Sequence, residues 1–228
     1  MPKPPSAVPP ASRGFSGGSG FGDIAAAAAV RRSDTPRARR AWTAARARLL
    51  GWGKGHSTDA PLASLIASLW TGAAALPPRL GLRAWSFRSL VRRSFPGWPK
   101  GRAIPMPRRA AACRLHEPGI AAERAGLEAL LRSGCAAPNP HSHALARVLA
   151  AGCLGYGHMW RDMGFSTRAE LRAMLFAVAP RLARRNVHDM KWKKFLYREL
   201  CRSEAGYVCR SPSCDACPGY ADCFGPEA

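Results

Sequence analysis

Nowhere along these 228 residues do β-branched residues alternate with polar ones, so the pattern of a half-buried strand is missing. Apolar residues recur instead at helical spacing. In DAPLASLIASLW, Leu62, Leu65, Ile66 and Leu69 mark one helix face, with Asp59 placed as N-cap and Pro61 in the first turn. Trp85, Phe87, Leu90 and Val91 predict a second helix that stops at Phe95-Pro96-Gly97. The Pro- and Arg-bearing residues 97–116 read as a loop. GIAAERAGLEALLRSG is a helix closed by Gly134. HSHALARVLAAGCLGYGHMW is a helix apolar on most sides, expected at the centre. STRAELRAMLFAVAP opens on Thr167 with Glu170 three residues on, a T-x-x-E capping box, and stops at Pro180. The last helix is read over NVHDMKWKKFLYRELCRS. The expected fold is all-α, a compact helical domain over residues 59–228.

Residues 1–58 are expected to be a low-complexity, disordered tail. MPKPPSAVPPASRGFSGGSGFG offers almost nothing to bury, although a short basic helix is possible after Pro36. Its GSGFG and GKGHST are rejected as nucleotide loops, because neither has the strand context or spacing such loops need. The chain carries 35 Lys and Arg against 14 Asp and Glu, which invites a nucleic-acid reading. That charge is spread as +7, +10 and +4 over residues 1–60, 61–150 and 151–228. No basic cluster stands out, so nucleic acid is not the expected partner. No apolar run approaches the ~20 residues of a membrane span, and the start lacks the pattern of a secretory signal. A cytoplasmic protein is expected, and no membrane partner.

Eight cysteines in such a chain point to metal or redox chemistry rather than to disulfides. Four of them, Cys209, Cys214, Cys217 and Cys223, fall in fifteen residues as C-x4-C-x2-C-x5-C. The C-x2-C pair chelates one metal site; the uneven outer spacings suit an iron–sulfur cluster more than a two-knuckle zinc, and both stay open. Ser211, Pro212 and Gly219 supply turn chemistry for a ligand loop, placed at residues 201–224. With few residues beyond it, that loop is expected to be exposed and deformable, which suits a metal that must be released.

On the preceding helix, Trp192, Phe195, Leu196 and Leu200 share an apolar face, and Lys191, Lys194, Arg198 and Arg202 share a basic one. A solvated surface explains such a stripe by itself. Beside an anionic cluster, Lys191, Lys194 and Arg198 are also candidates to offset its charge or to hold an oxyanion. Cys201, at the edge of the basic face, is a candidate further ligand or transfer thiol. His158 is another, although a capping or packing role accounts for it equally. Cys153 reads as a small buried hydrophobe. Cys113 and Cys135 are assigned no role. His141 and His143 read as capping or solvent-facing, and the tryptophans as core or loop anchors.

The blocks HMWRDMGFSTRAELRAMLF, MKWKKFLYRELC and the cysteine run ending in CFGPE, with LPPRLGL and SFPG upstream, resemble the nitrogen-fixation family NifQ. The likeness covers residues 60–228; Met159, Met163 and Leu196 stand where the family has Leu, Leu and Phe. The resemblance implies an accessory protein without enzymatic turnover, which binds a 4Fe-4S or Mo-3Fe-4S cluster and donates molybdenum for nitrogenase iron–molybdenum cofactor synthesis. It maps the family's clustered thiols onto Cys209, Cys214, Cys217 and Cys223. It also implies molybdate as cargo, and the cofactor scaffold complex and the nitrogenase iron protein as partners. The competing readings are a zinc-stabilised basic nucleic-acid-binding regulator and an iron–sulfur oxidoreductase. The second lacks any further cofactor motif.

Overall fold

Helix α1, Pro36–Gly51, starts where proline's fixed φ is already helical, and Thr35 Oγ1 caps it by accepting from the Ala38 N–H. The computed structural model describes residues 35–105, 120–137, 139–155, 157–203 and 220–226. Helix α1 packs on α2, Asp59–Thr71, and Leu49 is fully buried between them. Two polar relays fasten the pair to the rest of the molecule. Trp42 Nε1 donates to Ser68 Oγ, which donates to the Gly164 carbonyl; Arg46 Nε donates to Ser64 Oγ, which donates to Glu170. The boundary expected at residue 58 is therefore corrected. Residues 36–51 belong to the folded body, because alternating Arg and Ala hid the few side chains that reach the core. Residues 1–34 lie outside the described residues.

Asp59 is also corrected. It is buried, but it does not cap its own helix. Its Oδ2 accepts from the Lys54 and His56 amides and closes the loop before α2. Leu62, Leu65, Ile66 and Leu69 are buried as their spacing predicts. The LPPRLGL stretch makes a tight turn over Pro78–Gly81, with Arg79, Leu80 and Gly81 all at positive φ. Leu80 is wholly buried there, so packing holds a conformation that side-chain-bearing residues rarely adopt. Helix α3, Ala84–Ser94, buries Phe87, Leu90 and Val91 and stops at Phe95 as expected; Trp85 faces out instead of anchoring the core.

Helix α4, Ile120–Ser133, lies against α5, Pro140–Cys153. Helix α5 is central, touching α3, α4, the Pro78 turn and the next two helices, which explains its apolar run. Asn139 caps it with both halves of a capping box, accepting from His141 and Ser142 while its own N–H donates to Ser142 Oγ. Asn139→Ala should lower the unfolding free energy by about 1 kcal/mol in urea titrations. A loss below the error of the measurement would show that the Ser142 hydroxyl alone sustains the start of α5.

The short α6, Met159–Asp162, leads into α7, Arg168–Val178, and α8, Pro180–Ala183. The predicted box at α7 forms by half. Thr167 Oγ1 accepts from the Glu170 N–H, but the Glu170 carboxylate reaches Ser166 N–H, Ser64 and Arg46, tying α7 to α1 and α2. The last predicted helix is shortened at its front to α9, Trp192–Ser203. Asn186 brackets Met190, accepting from its N–H and donating to its carbonyl, and this side-chain closure competes with helix over 186–190. A single turn, α10, Tyr220–Phe224, ends the described chain. Among the described residues there is no strand, and no helix is long and apolar enough to cross a membrane.

Candidate metal centre

The first turn of α9 is fastened on two sides. Its inner side carries Trp192, Phe195, Leu196 and Leu200 into the core, the stripe read from spacing. Toward the end of the chain, the Lys191 N–H donates to the Cys223 carbonyl at 2.8 Å, and Lys191 Nζ donates to the Ala221 carbonyl at 3.1 Å. The Tyr220 and Phe224 rings stack at 4.6 Å, and Cys223 and Phe224 rest partly buried against the core. The fourth clustered cysteine is thus held by backbone at the start of α9. Cys209, Cys214 and Cys217 lie outside the described residues, as does Cys113. No disulfide joins the described cysteines.

Toward the interior, Lys193 reaches the segment that links α5 to α6. Its Nζ donates to the Gly155 carbonyl at 2.8 Å and to the Gly157 carbonyl, and lies 3.4 Å from Asp162 Oδ2. The same Asp162 oxygen accepts from the Gly157 N–H at 2.9 Å. A Cβ at Gly155 would overlap this carboxylate, so the close approach requires glycine there. Burial pushes the Asp162 carboxyl above its usual value, against the pull of Lys193, the Gly157 amide and nearby His158. Spacing did not single out Lys193. A signal existed: it lies three and seven residues before buried Leu196 and Leu200, at the edge of the apolar face, where a lysine needs a partner.

The other candidates separate. His158 occupies the N-cap position of α6 without making a side-chain cap, and belongs electrostatically to the Asp162 and Lys193 group. Cys201 is half-buried in the last turn of α9, ten residues or about 15 Å along the axis from Lys191. It therefore sits at the opposite end of the helix from Cys223, at the end where the 204–219 segment departs. Lys194, Arg198 and Arg202 are exposed along α9, forming the predicted stripe; Arg202 lies 3.5 Å from buried Glu199, which Arg185 also contacts. Lys191 departs from that stripe, being engaged as a clasp on Ala221 rather than held out to solvent. The Cys153 thiol is buried beside Met159 and pushed up to about 12, so it stays protonated, in line with its reading as a small hydrophobe.

Thiols on a segment clasped at one end, with exposed cations along the adjoining helix, would suit a soft metal or an anionic cluster; among the described residues no group of three or more His, Cys, Asp or Glu forms a metal site by itself. Known proteins bear on which. The NifQ family model matches residues 61–225. Protein NifQ of Azotobacter vinelandii is 40% identical over 170 residues, 73% of this chain and 87% of that protein. A NifQ homolog of Sinorhizobium fredii is 34% identical over 72% of this chain and 68% of its own length. Protein NifQ of Rhodobacter capsulatus is 33% identical over 68% and 81% respectively. No solved structure matches the chain significantly. The family match takes in every clustered cysteine and both lysines of the α9 clasp, and on that span the chain belongs to the NifQ family of nitrogen-fixation accessory proteins.

Proposed function

We propose that this chain is a metal-cluster carrier, working in the cytoplasm, that donates molybdenum for iron–molybdenum cofactor synthesis. Cys209, Cys214, Cys217 and Cys223 would hold an iron–sulfur cluster of the 4Fe-4S or Mo-3Fe-4S type. When bound, such a cluster supplies sulfide and thiolate ligation in which soft sulfur stabilises iron and reduced molybdenum alike. The observation that carries the reading is the clasp. The backbone of Cys223 is held at the start of α9 by Lys191. The segment bearing the other three thiols leaves from the far end of that helix. Both ends of the ligand run are thus tied to one helix, about 18 Å long for its twelve residues.

Lys194 and Arg198 lie exposed on that helix, where positive charge offsets the negative charge of a thiolate-ligated cluster. The same groups suit molybdate, the cargo, which arrives as an oxyanion and is drawn to ammonium and guanidinium donors. Handover to the cofactor scaffold complex, with the nitrogenase iron protein taking part, would complete the reading. No acid–base pair or organic substrate is needed.

Anaerobic purification, followed by reconstitution with iron, sulfide and molybdate, tests this by metal analysis. The expected result is about four metals per chain, either four iron or three iron with one molybdenum, with matching acid-labile sulfide. Stoichiometric zinc with neither iron nor sulfide after reconstitution would overturn the proposal in favour of a zinc-stabilised module.

A further inference from the structure

A groove of about 240 Å³ opens between α3, the end of α4 and the start of α5, at the opposite end of central α5 from the Lys193 group. Its floor is apolar, with Leu82 and Leu90. Its walls carry Trp85, Arg93, Arg132, Arg147, His141 and His143. Trp85 is 66% exposed, on the outer face of α3 with Arg88 and Ser89, while Phe87, Leu90 and Val91 of the same helix are core. A single exposed apolar residue needs no explanation. This one borders a concavity rimmed by guanidinium groups.

The charge there is one-sided. No Asp or Glu occurs between Asp59 and Glu117, so α3 brings arginines and no carboxylate. Arg93 and Arg132 have no ion pair among the described residues. Arg147 meets Glu128 at 3.2 Å, and that carboxylate is already shared with Arg124. Burial, then Arg93, hold His141 below its usual pKa, with His56 in the same direction and Asp59 against; burial, Arg132 and Arg147 do the same to His143. Both rings are thus biased toward the neutral form.

We propose that this groove docks an acidic peptide segment of a protein partner, its carboxylates on Arg93, Arg132 and Arg147 and an apolar side chain against Trp85 and the Leu82–Leu90 floor. Arginine forks pair carboxylates bidentately, and Trp with Arg are the residues that most often dominate protein interfaces. The first amides of α5 are already taken by the Asn139 cap, so the groove offers no backbone cradle for a free oxyanion. A single-stranded nucleic acid wants successive stacking platforms along an extended basic track, whereas this groove is short, with one large aromatic, Trp85, two imidazoles and an apolar floor.

Fluorescence anisotropy with the full chain decides it, using a labelled peptide of alternating glutamate and leucine, its glutamine counterpart, and a thymidine oligonucleotide of equal charge. The acidic peptide should bind and the glutamine peptide should not. Trp85→Ala, and separately Arg93→Gln with Arg132→Gln, should each weaken binding about tenfold or more, with circular dichroism unchanged. Trp85→Phe should restore part of the loss. Affinity should rise as pH falls below neutrality, because bound carboxylates favour protonated His141 and His143. Absence of peptide binding, equal affinity in the variants, or oligonucleotide binding that is tighter and lost through the same substitutions would each overturn the proposal.

Discussion

Lys193→Met is expected to cost about 3 kcal/mol of unfolding free energy at neutral pH, because it removes one partner of a buried ion pair and leaves the other. The Asp162 side chain is only 7% exposed. Without the ammonium it keeps the Gly157 N–H, while the Gly155 and Gly157 carbonyls lose a shared donor. The pH dependence has a definite sign. Burial already raises the folded-state pKa of Asp162 above the ordinary carboxylate value. Its protonated form therefore favours folding, and that contribution is lost as pH rises through the folded pKa. Removing Lys193 pushes this pKa further up, so the variant should be destabilised less at pH about 5 than at about 7. Asp162→Asn removes the charge and keeps an acceptor for the Gly157 amide. Lys193→Met combined with Asp162→Asn should then lose less than the two single losses added together. Urea titrations of the four proteins at both pH values measure this coupling. Strict additivity, with equal losses at both pH values, would show that the pair is not an electrostatic unit.

The second large effect concerns the proposed cluster. Cys223→Ser should lose most of the iron retained after anaerobic reconstitution, because a serine oxygen is a poor substitute for a soft thiolate. Its backbone carbonyl, which accepts from Lys191, is unchanged, so the fold should persist. Cys153→Ala is the matched control. That thiol is buried and held protonated, and its loss should leave the iron content at the wild-type value while costing about 1 kcal/mol of stability. Iron analysis and thermal unfolding of the two variants separate ligation from packing. A full iron complement in Cys223→Ser would remove Cys223 from the ligand set.

The two predictions share a structural cause. Lys191 and Lys193 are two residues apart, yet one clasps the Cys223 segment and the other crosses to the Gly155–Gly157 loop. The helix start between them is therefore fixed from both sides. Loosening the inner contact should also weaken the hold on Cys223, which makes Lys193 a positioning residue for the candidate centre.

Much of this was legible in one dimension. Leu62 to Leu69, Phe87 to Val91 and Trp192 to Leu200 show helical periodicity, and the core takes those faces. Gly134 and Pro180 mark stops, and Thr167 a start, through backbone chemistry that acts within a few residues. The four thiols and their spacing are likewise local, as are the MKWKKF block and the family match built on it. Local patterns failed where a long-range contact competed. Asp59 looked like a cap but serves the loop before it. Residues 186–190 looked helical until Asn186 bracketed Met190. Residues 36–51 looked like a tail because Leu49, Trp42 and Arg46 mean nothing without the serines of α2.

Local patterns along the chain establish its helical class, the course of most helices and the positions of its thiols. Packing brings Cys223 back to the start of α9, joins Lys193 to Asp162 across 31 residues of chain, and leaves Trp85 outside the core. The physical reason is range. Periodicity and capping act over a few residues, whereas a buried charge or a clasped carbonyl depends on which distant group packing brings within hydrogen-bond reach.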